Sequence, residues 1–284
     1  AHASFENNQA AVDGGAIATP TNYKNTFFDM NNVTFVNNIA EGQGGAIRVS
    51  GFQTAVYIAN SEFRGNSANS GGALSIEFSA EMQMLSTKAF NNNALNGDGG
   101  FIFSTFSAMF LSVVHIEGSS ANNEGGGGGI AALGTRIMLN RVVVKGCQAG
   151  KRGGGALLLD KGAEAQLADC VLDDNMATSS GGHIRVAASS LILHGKGARV
   201  IWPKSEPSFY LYRFIYKVEN GTVLTRGSTL ISGGGISCMA SLSVSIFELF
   251  DSSQIGASEC QSTVYSYQAT SDAAQQFLCQ CARC

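Results

Sequence analysis

Charged residues are scarce in this chain: Asp, Glu, Lys and Arg make up 14% of its 284 residues, against roughly 25% in an average soluble domain. The basic residues are scattered and the formal net charge is −3, so a surface for nucleic acid or an anionic membrane is not expected. Long apolar runs are also absent, although the mean hydropathy is +0.08. No stretch reaches the roughly 18 apolar residues of a spanning helix, and membrane insertion is therefore not expected.

The chain begins at Ala1 with neither an initiator Met nor a signal peptide. We therefore expect a mature chain or a piece of a longer one. Two sequons, at Asn32 and Asn220, are candidate glycosylation sites and fit secretion. Sequons also arise by chance in an Asn-rich sequence, and both interpretations stay open.

Cysteine is concentrated at one end of the sequence. Five of the seven Cys lie between Cys238 and Cys284, which is typical of a disulfide-linked segment in an oxidising, extracellular compartment. The disulfide candidates are Cys238, Cys260, Cys279, Cys281 and Cys284. The alternative is a metal site formed by the thiolates of the last three. In an extracellular repeat protein, disulfides are favoured over such a site.

Glycine, by contrast, is abundant at 35 residues, and much of it belongs to an internal repeat. A relaxed F-x-x-N motif recurs every 26–30 residues and is followed by a Gly-Gly pair. The motif begins at Phe5, Phe35, Phe63, Phe90, Ile116, Val144 and Leu172, and the pairs begin at Gly14, Gly44, Gly71, Gly99, Gly128, Gly154 and Gly181. An eighth pair, Gly234-Gly235, comes about two periods later, so one coil with a lost signature is expected near residues 200–215.

Short apolar segments such as Ala46–Val49 and Ala55–Ala59 lie between these motifs, bounded by Gly, Asn and Ser. They are too short for helices and indicate strands. A period of this length with several strands and no helix predicts one coil of a parallel β-helix.

Stacking of such coils assigns positions to the motif residues, because equivalent residues then lie about 4.8 Å apart. One column is predicted to point inward as an aromatic ladder: Phe5, Phe35, Phe63 and Phe90. A second column is predicted to mark a corner with left-handed backbone and amide–amide hydrogen bonds: Asn8, Asn38, Asn66, Asn93 and Asn175. The glycine pair marks another corner.

The paired GGA(I/L/V) and FxxN motifs resemble the repeat of the chlamydial polymorphic membrane proteins. The resemblance covers residues 1 to about 186 and reappears near residues 233–236. It implies a right-handed parallel β-helix of the pectin-lyase-like kind, a fold consistent with the crossover rule, and a role as a surface adhesin.

Pectin-lyase-like folds also host polysaccharide lyases and hydrolases, which need several carboxylates on adjacent coils. The only adjacent carboxylates in the repeat are Asp173 and Asp174, with His183 and Arg185 following. The two aspartates occupy the variable part of the motif, so a solvated corner is their favoured interpretation, with a catalytic or Ca²⁺ site as the alternative. His183 replaces the Ala of other coils and is expected at the surface or a corner. No catalytic residue, metal ligand or cofactor is predicted.

Apolar residues predicted to face outward are the candidates for a contact surface. They comprise Phe101, Phe103 and Leu158, and an alternating aromatic run with Tyr210, Tyr212, Phe214 and Tyr216 on one face. The column of Phe103 is expected to continue through Ala132 to Leu158. In the alternative interpretation, one of these patches covers the other within the same chain.

The sequence thus predicts an all-β protein: a parallel β-helix of about nine coils over residues 1–240, degenerate at 200–225, and a disulfide-linked Cys-rich portion over 241–284. The expected function is a non-enzymatic structural or adhesive role at a cell surface, in a matrix or in a filament; the alternative is polysaccharide binding or cleavage. The expected partners are other copies, assembled end to end, or other surface or matrix proteins, with glycans as a further class. The first motif begins within five residues of Ala1, leaving too few residues to cap the open edge of the first coil.

Overall fold

The computed structural model describes residues 2–19, 25–187 and 189–194, together with eight strand segments between residues 199 and 279; side chains are described as far as Leu191. In this part of the chain all regular secondary structure is β-strand, and the chain winds as a right-handed parallel β-helix. Each coil contains four short strands, so that strands in the same position of successive coils stack into four sheets.

The described residues form seven complete coils, rather than the nine expected of the whole chain. Their strands, four to a coil, are β1 (Ala3–Glu6), β2 (Gln9–Ala10), β3 (Ile17–Ala18), β4 (Phe27–Asn31); β5 (Val33–Val36), β6 (Ile39–Ala40), β7 (Ile47–Ser50), β8 (Ala55–Ala59); β9 (Glu62–Arg64), β10 (Ser67–Ala68), β11 (Leu74–Glu77), β12 (Glu81–Leu85); β13 (Lys88–Phe90), β14 (Asn93–Ala94), β15 (Ile102–Thr105), β16 (Ala108–Ser112); β17 (His115–Glu117), β18 (Ser120–Ala121), β19 (Ile130–Leu133), β20 (Arg136–Asn140); β21 (Val143–Lys145), β22 (Gln148–Ala149), β23 (Leu157–Asp160), β24 (Glu164–Ala168); β25 (Val171–Asp173), β26 (Met176–Ala177), β27 (Ile184–Ala187) and β28 (Ser190–His194). The further segments are β29 (Arg199–Ile201), β30 (Tyr216–Val218), β31 (Val223–Leu224), β32 (Ser228–Thr229), β33 (Ile236–Met239), β34 (Glu248–Leu249), β35 (Val264–Tyr267) and β36 (Gln276–Cys279).

We number the sheets by the position of the strand in the coil. Sheets 1, 2, 3 and 4 begin with β1, β2, β3 and β4 respectively, and each continues with every fourth strand as far as the seventh coil. Beyond it, sheet 1 adds β29 and β31, sheet 2 adds β32, and sheet 3 adds β33; sheet 4 adds β30 and β34 and then the antiparallel β36 and β35.

The four sheets differ in the interval before the Gly234-Gly235 pair. In sheet 3, β33, which follows this pair, lies directly beside β27, with Ile236 opposite Ile184. Sheets 1 and 4 each contain one more parallel strand over the same interval: β29 lies between β25 and β31, and β30 lies between β28 and β34. The expected coil without the repeat signature therefore corresponds to described strands in sheets 1 and 4 only.

Strands form where apolar and polar residues alternate, because successive side chains of a strand point to opposite faces. In β12, Met82 and Met84 are buried and Glu81 and Gln83 are exposed. Sheet 3 contributes a second inward ladder, one residue from each coil, which follows the glycine pairs: Ile17, Ile47, Leu74, Ile102, Ile130, Leu157 and Ile184.

The aromatic ladder is confirmed in three coils and wrong in the fourth. The rings of Phe5 and Phe35 stack with centroids 5.1 Å apart, and those of Phe35 and Phe63 with centroids 4.8 Å apart. The next residue of the column is Ala89, whereas Phe90 lies opposite Arg64 on the outer face. The string Ala89-Phe90-Asn91-Asn92-Asn93 admits the motif in two registers, and a shift by one residue exchanges the two faces of a strand.

The amide ladder follows the same corrected register. Asn8, Asn38 and Asn66 each donate from Nδ2 to Oδ1 of the asparagine one coil further on, over 2.8–3.0 Å, and the last acceptor is Asn92 rather than Asn93. Ser119 and Cys147 interrupt the column before Asn175, whose Oδ1 accepts the Cys147 backbone N–H at 3.0 Å. The left-handed conformation predicted for these asparagines belongs to the residue before each, such as Asn7 at φ 56° and Asn37 at φ 52°.

The glycine-pair corner requires glycine for two different reasons. The first glycine of a pair has positive φ, as at Gly44, whose φ is 67°. At the second, a Cβ would clash: on Gly45 it would lie 2.1 Å from the Gly72 carbonyl oxygen. In the fifth coil the positive φ, 65°, belongs to Gly127, so the pair there is Gly127-Gly128 and not Gly128-Gly129.

Candidate contact surface

Phe101 was predicted to contribute to an outer contact surface, and this prediction is wrong. It occupies the position held by Ala46 and Ala73 in earlier coils, and its side chain is fully buried. Its ring lies 5.6 Å from that of Phe63, tilted by 58°. The large residue fills space that the small Ala89 leaves in the aromatic column, so volume is conserved across the core.

Phe103 and Leu158 do point outward from sheet 3, but they are not available for contact. Together with Ala131 and Leu133 they form a second apolar cluster, separate from the main core, in which no residue is more than 8% exposed. The column runs through Ala131, because Ala131 lies between Phe103 and Leu158 in register; Ala132, the residue first expected there, faces inward and is part of the main core.

The glycine run at residues 125–129 explains how this outer cluster is closed. A Cβ on Gly126 would lie 2.7 Å from Cδ2 of Leu158 and 2.7 Å from Cβ of Arg152. The bare backbone of Gly126 therefore packs directly against both side chains, and glycine is required there by close approach. This outer face of sheet 3 is thus structural.

Charged side chains hold the edge of the covered patch. Arg152 pairs through Nη1 with Asp98 and through Nη2 with Asp160, the latter at 2.6 Å. Asp98 also accepts the backbone N–H of Gly126 at 2.8 Å, and Nη1 of Arg185 donates to the Arg152 carbonyl oxygen. Burial raises the pKa of the Asp98 carboxyl, although the Arg152 guanidinium opposes this. Asp98 therefore joins three coils, its own and those of Gly126 and Arg152, whereas Asp160 pairs with Arg152 within one coil.

Asp173 and Asp174, the carboxylates considered as a catalytic site, do not form a site with His183. Asp173 lies on the outer face of sheet 1, with Oδ2 4.0 Å from Lys145 Nζ, and Asp174 is the left-handed residue of the next corner. His183 is fully buried inside the coil, where its Nδ1 lies 3.0 Å from Nδ2 of Asn175. The expectation that His183 lies at the surface or a corner is therefore wrong. The role of His183 is therefore structural: it contacts Asn175, a member of the interior asparagine column.

Exposed aromatic residues are found instead at the corner between sheets 3 and 4. We call Phe52, Phe78 and Phe106 the corner ridge; they are 54%, 56% and 55% exposed. Phe78 and Phe106 occupy equivalent positions of adjacent coils, since Phe78 N–H donates to the carbonyl before Phe106. Both have left-handed backbone, with φ of 54° and 47°. The pattern of inward ladders carries no signal for these residues, which lie outside the strands.

The outer face of sheet 4 forms a second exposed surface. We call its central part the sheet-4 face, comprising Tyr57, Glu81, Gln83, Ala108, Phe110, Arg136 and Met138. Met138 is 44% exposed, and a shallow groove runs between Glu81 and Arg136.

Several predicted residues lie beyond the part of the chain that these contacts cover. Tyr210, Tyr212, Phe214, Asn220, Cys260, Cys281 and Cys284 are outside the described residues, and Tyr216, Cys238 and Cys279 lie on strand segments without described side chains. Asn32 is exposed, at the corner between sheets 4 and 1. The disulfides, the glycosylation and the tyrosine surface stay predictions.

The two described cysteines, Cys147 and Cys170, are buried free thiols. In the described residues, no group of three or more His, Cys, Asp or Glu side chains could hold a metal ion. The same part of the chain contains no helix long and apolar enough to cross a membrane.

Comparison with known families agrees with the repeat seen in the structure. Residues 2–20 and 32–50 match the model of the Chlamydia polymorphic membrane protein repeat. These two segments lie in the first and second coils, and each contains one FxxN motif and one glycine pair. These two segments of the chain are therefore similar to the repeat of that family, in agreement with the parallel β-helix of the structure. Searches of curated proteins and of solved structures found no match.

Proposed function

We propose that this chain is a non-enzymatic, extracellular β-helix with a structural or adhesive role at a cell surface, in a matrix or in a filament. The observation that supports this most directly is the corner ridge, three phenylalanine side chains that are each more than half exposed. Exposed aromatic groups in close proximity are typical of contact sites. The matched repeat family supports the surface location.

The backbone of the ridge has the left-handed conformation that is regular at this corner. The equivalent residues of the next two coils are Gly134, with φ of 59°, and Lys161, with φ of 55°. A left-handed conformation costs a non-glycine residue about 1–3 kcal/mol. Glycine satisfies this corner without that cost, so replacing Phe78 and Phe106 by glycine should not destabilise the coils.

The test compares adhesion with stability in the same variants. Phe78→Gly/Phe106→Gly should abolish most binding of protein-coated beads to cultured epithelial cells, while the protein melts at the same or a higher temperature. Val113→Gly is the matched control, because Val113 is 46% exposed and left-handed, with φ of 56°, at a different corner. The control should bind as the wild type does.

Two results would contradict the adhesive role of the ridge. One is equal adhesion by the double variant and the wild type. The other is an equal loss of adhesion in Val113→Gly, which would point to a general effect of the altered corners. A wild-type protein that adheres to no cell surface or matrix preparation would leave only the structural role.

End-to-end assembly belongs to this proposal. In the described residues each strand of the first coil pairs on one side only, and such an edge can accept another strand from a second copy. Negative-stain microscopy of the native material should then show filaments with the width of a single β-helix. Monodisperse single particles at high concentration would contradict it.

Polysaccharide binding or cleavage is the second candidate function. It is favoured by the exposed rings of the ridge, whose apolar faces could pack against sugar rings. A glycan array would show binding that is lost in Phe78→Gly/Phe106→Gly. Incubation with pectin or alginate, with and without Ca²⁺, should release no reducing or unsaturated ends; turnover that disappears in Asp98→Asn, Asp173→Asn or Asp174→Asn would establish an enzyme instead.

A further inference from the structure

The sheet-4 face has a regular arrangement of charge about one strand. The first outer residue of successive strands is Ala55 in β8, Glu81 in β12, Ala108 in β16 and Arg136 in β20. These residues lie directly opposite one another in register, so Glu81 and Arg136 flank Ala108 at one coil on either side. The second outer column has Phe110 at its centre, between Gln83 and Met138.

This arrangement is self-complementary. A two-fold axis parallel to β16, midway between two facing sheets, keeps the position of a residue along its strand and reverses the order of the coils. It places Glu81 of one copy over Arg136 of the other. The symmetry generates the same contact a second time, with the two copies exchanged. The same axis places Phe110 against Phe110 and the small Ala108 against Ala108, which allows the two sheets to approach.

We propose that the sheet-4 face binds a second copy of this chain, face to face, as an isologous dimer. A dimer of this kind uses the same patch on both subunits, and stacked sheets pack about 10 Å apart. In the described residues Glu81 makes no ion pair. In the dimer, Arg136 of the second copy would be its partner. Arg136 and Glu164 are paired at 3.2 Å but 71% and 61% exposed, and an exposed pair contributes little, so exchanging it costs little.

The size of the face places the dimer among small interfaces. Strands of five residues and about six coils give a surface of roughly 17 Å by 29 Å. Two copies would therefore bury about 1,000 Å² in total, near the lower limit for a specific interface. Interfaces of this size are typical of weak, transient association, so the dimer should form only at high protein concentration.

Charge reversal distinguishes this arrangement from other associations. Glu81→Arg and Arg136→Glu each place like charges opposite one another at both contacts, so each variant alone should raise the dissociation constant at least about tenfold. Mixing the two variants in equal amounts restores opposite charges at both contacts, and a heterodimer should form. Pairing within one chain cannot produce this recovery.

The measurement is sedimentation velocity at about 5–200 µM, a range that extends to the high concentrations at which weak association is detected. Lys88→Glu is the control, since it reverses an exposed charge on sheet 1 and should dimerise as the wild type does; circular dichroism checks that all variants fold. A monomeric wild type at the highest concentration would overturn the proposal. A mixture of the two variants that stays monomeric would also overturn it.

Discussion

Asn66 and Asn92 lie in adjacent coils and share a hydrogen bond of 2.9 Å from Nδ2 of the first to Oδ1 of the second. The remaining bonds of Asn66 are also formed: Nδ2 donates to the Phe35 carbonyl oxygen, and Oδ1 accepts both the backbone N–H and the Nδ2 of Asn38. The buried amide is therefore fully satisfied, and its column fixes the rise from one coil to the next.

The corrected register of this ladder can be tested with two neighbouring asparagines. Asn92→Ala should lower the free energy of unfolding by about 1–3 kcal/mol, because it leaves buried donors of Asn66 unpaired. Asn93→Ala should cost less than about 1 kcal/mol, since its Oδ1 bonds to Ser120 and Asn122 are near the surface. Urea denaturation of both variants measures this; a larger loss in Asn93→Ala would place the wrong asparagine inside.

The aromatic column allows a similar comparison. Phe63 is fully buried between Phe35 and Phe101, so Phe63→Ala should destabilise the protein by about 3–5 kcal/mol through the cavity it leaves. Phe90→Ala removes a ring that packs under Arg64, 4.8 Å from its guanidinium, on the outer face, and should cost about 1 kcal/mol or less. Similar losses in thermal or chemical unfolding would contradict the assignment.

Asp98 should make stability depend on pH. Burial raises its pKa above the ordinary value of 3.8, with Arg152 acting in the opposite direction. The folded state therefore keeps the proton at pH values at which the unfolded chain has released it. The stability contributed by this group is fully present below about pH 3.8 and is lost as the pH rises through the folded-state pKa.

The neutral Asp98→Asn variant should therefore be at least as stable as the wild type at pH 7, and its stability should fall less between pH 4 and 7. It retains an acceptor for the Gly126 N–H, which Asp98→Ala, as the control, does not. Unfolding in urea across this range decides the matter. A clear loss of stability in Asp98→Asn at pH 7 would show that the Arg152 ion pair outweighs the cost of burial.

The two interior thiols should be chemically silent in the folded protein. Burial raises the pKa of both Cys147 and Cys170 to about 12, and the thiolate is the reactive form. Iodoacetamide at pH 8 should leave both residues unmodified in the native state and modify both in urea, as peptide masses would show. Because the ordinary value is 9.0, their contribution to stability is lost as the pH rises above about 9. Rapid native labelling of either residue would contradict its burial.

The period, the strands and most of the inward ladders follow from the sequence alone. A residue type that returns every 26–30 positions, such as the asparagine of Asn8, Asn38 and Asn66, can only stack if each interval forms one coil. Alternation within each short strand then separates inward from outward residues. These signals are local, and they are repeated often enough to be read without knowledge of the packing.

Where the sequence repeats a residue, the register depends on the tertiary structure. The run Asn91-Asn92-Asn93 and the glycines 125–129 fit the motif in more than one way, and only contact with the neighbouring coils selects Asn92 and Gly127. It also decided that Phe103 and Leu158 are covered while Phe78 and Phe106 are exposed. The pattern of a strand shows that a side chain points outward, but burial of that side chain depends on which other segment of the chain packs over it.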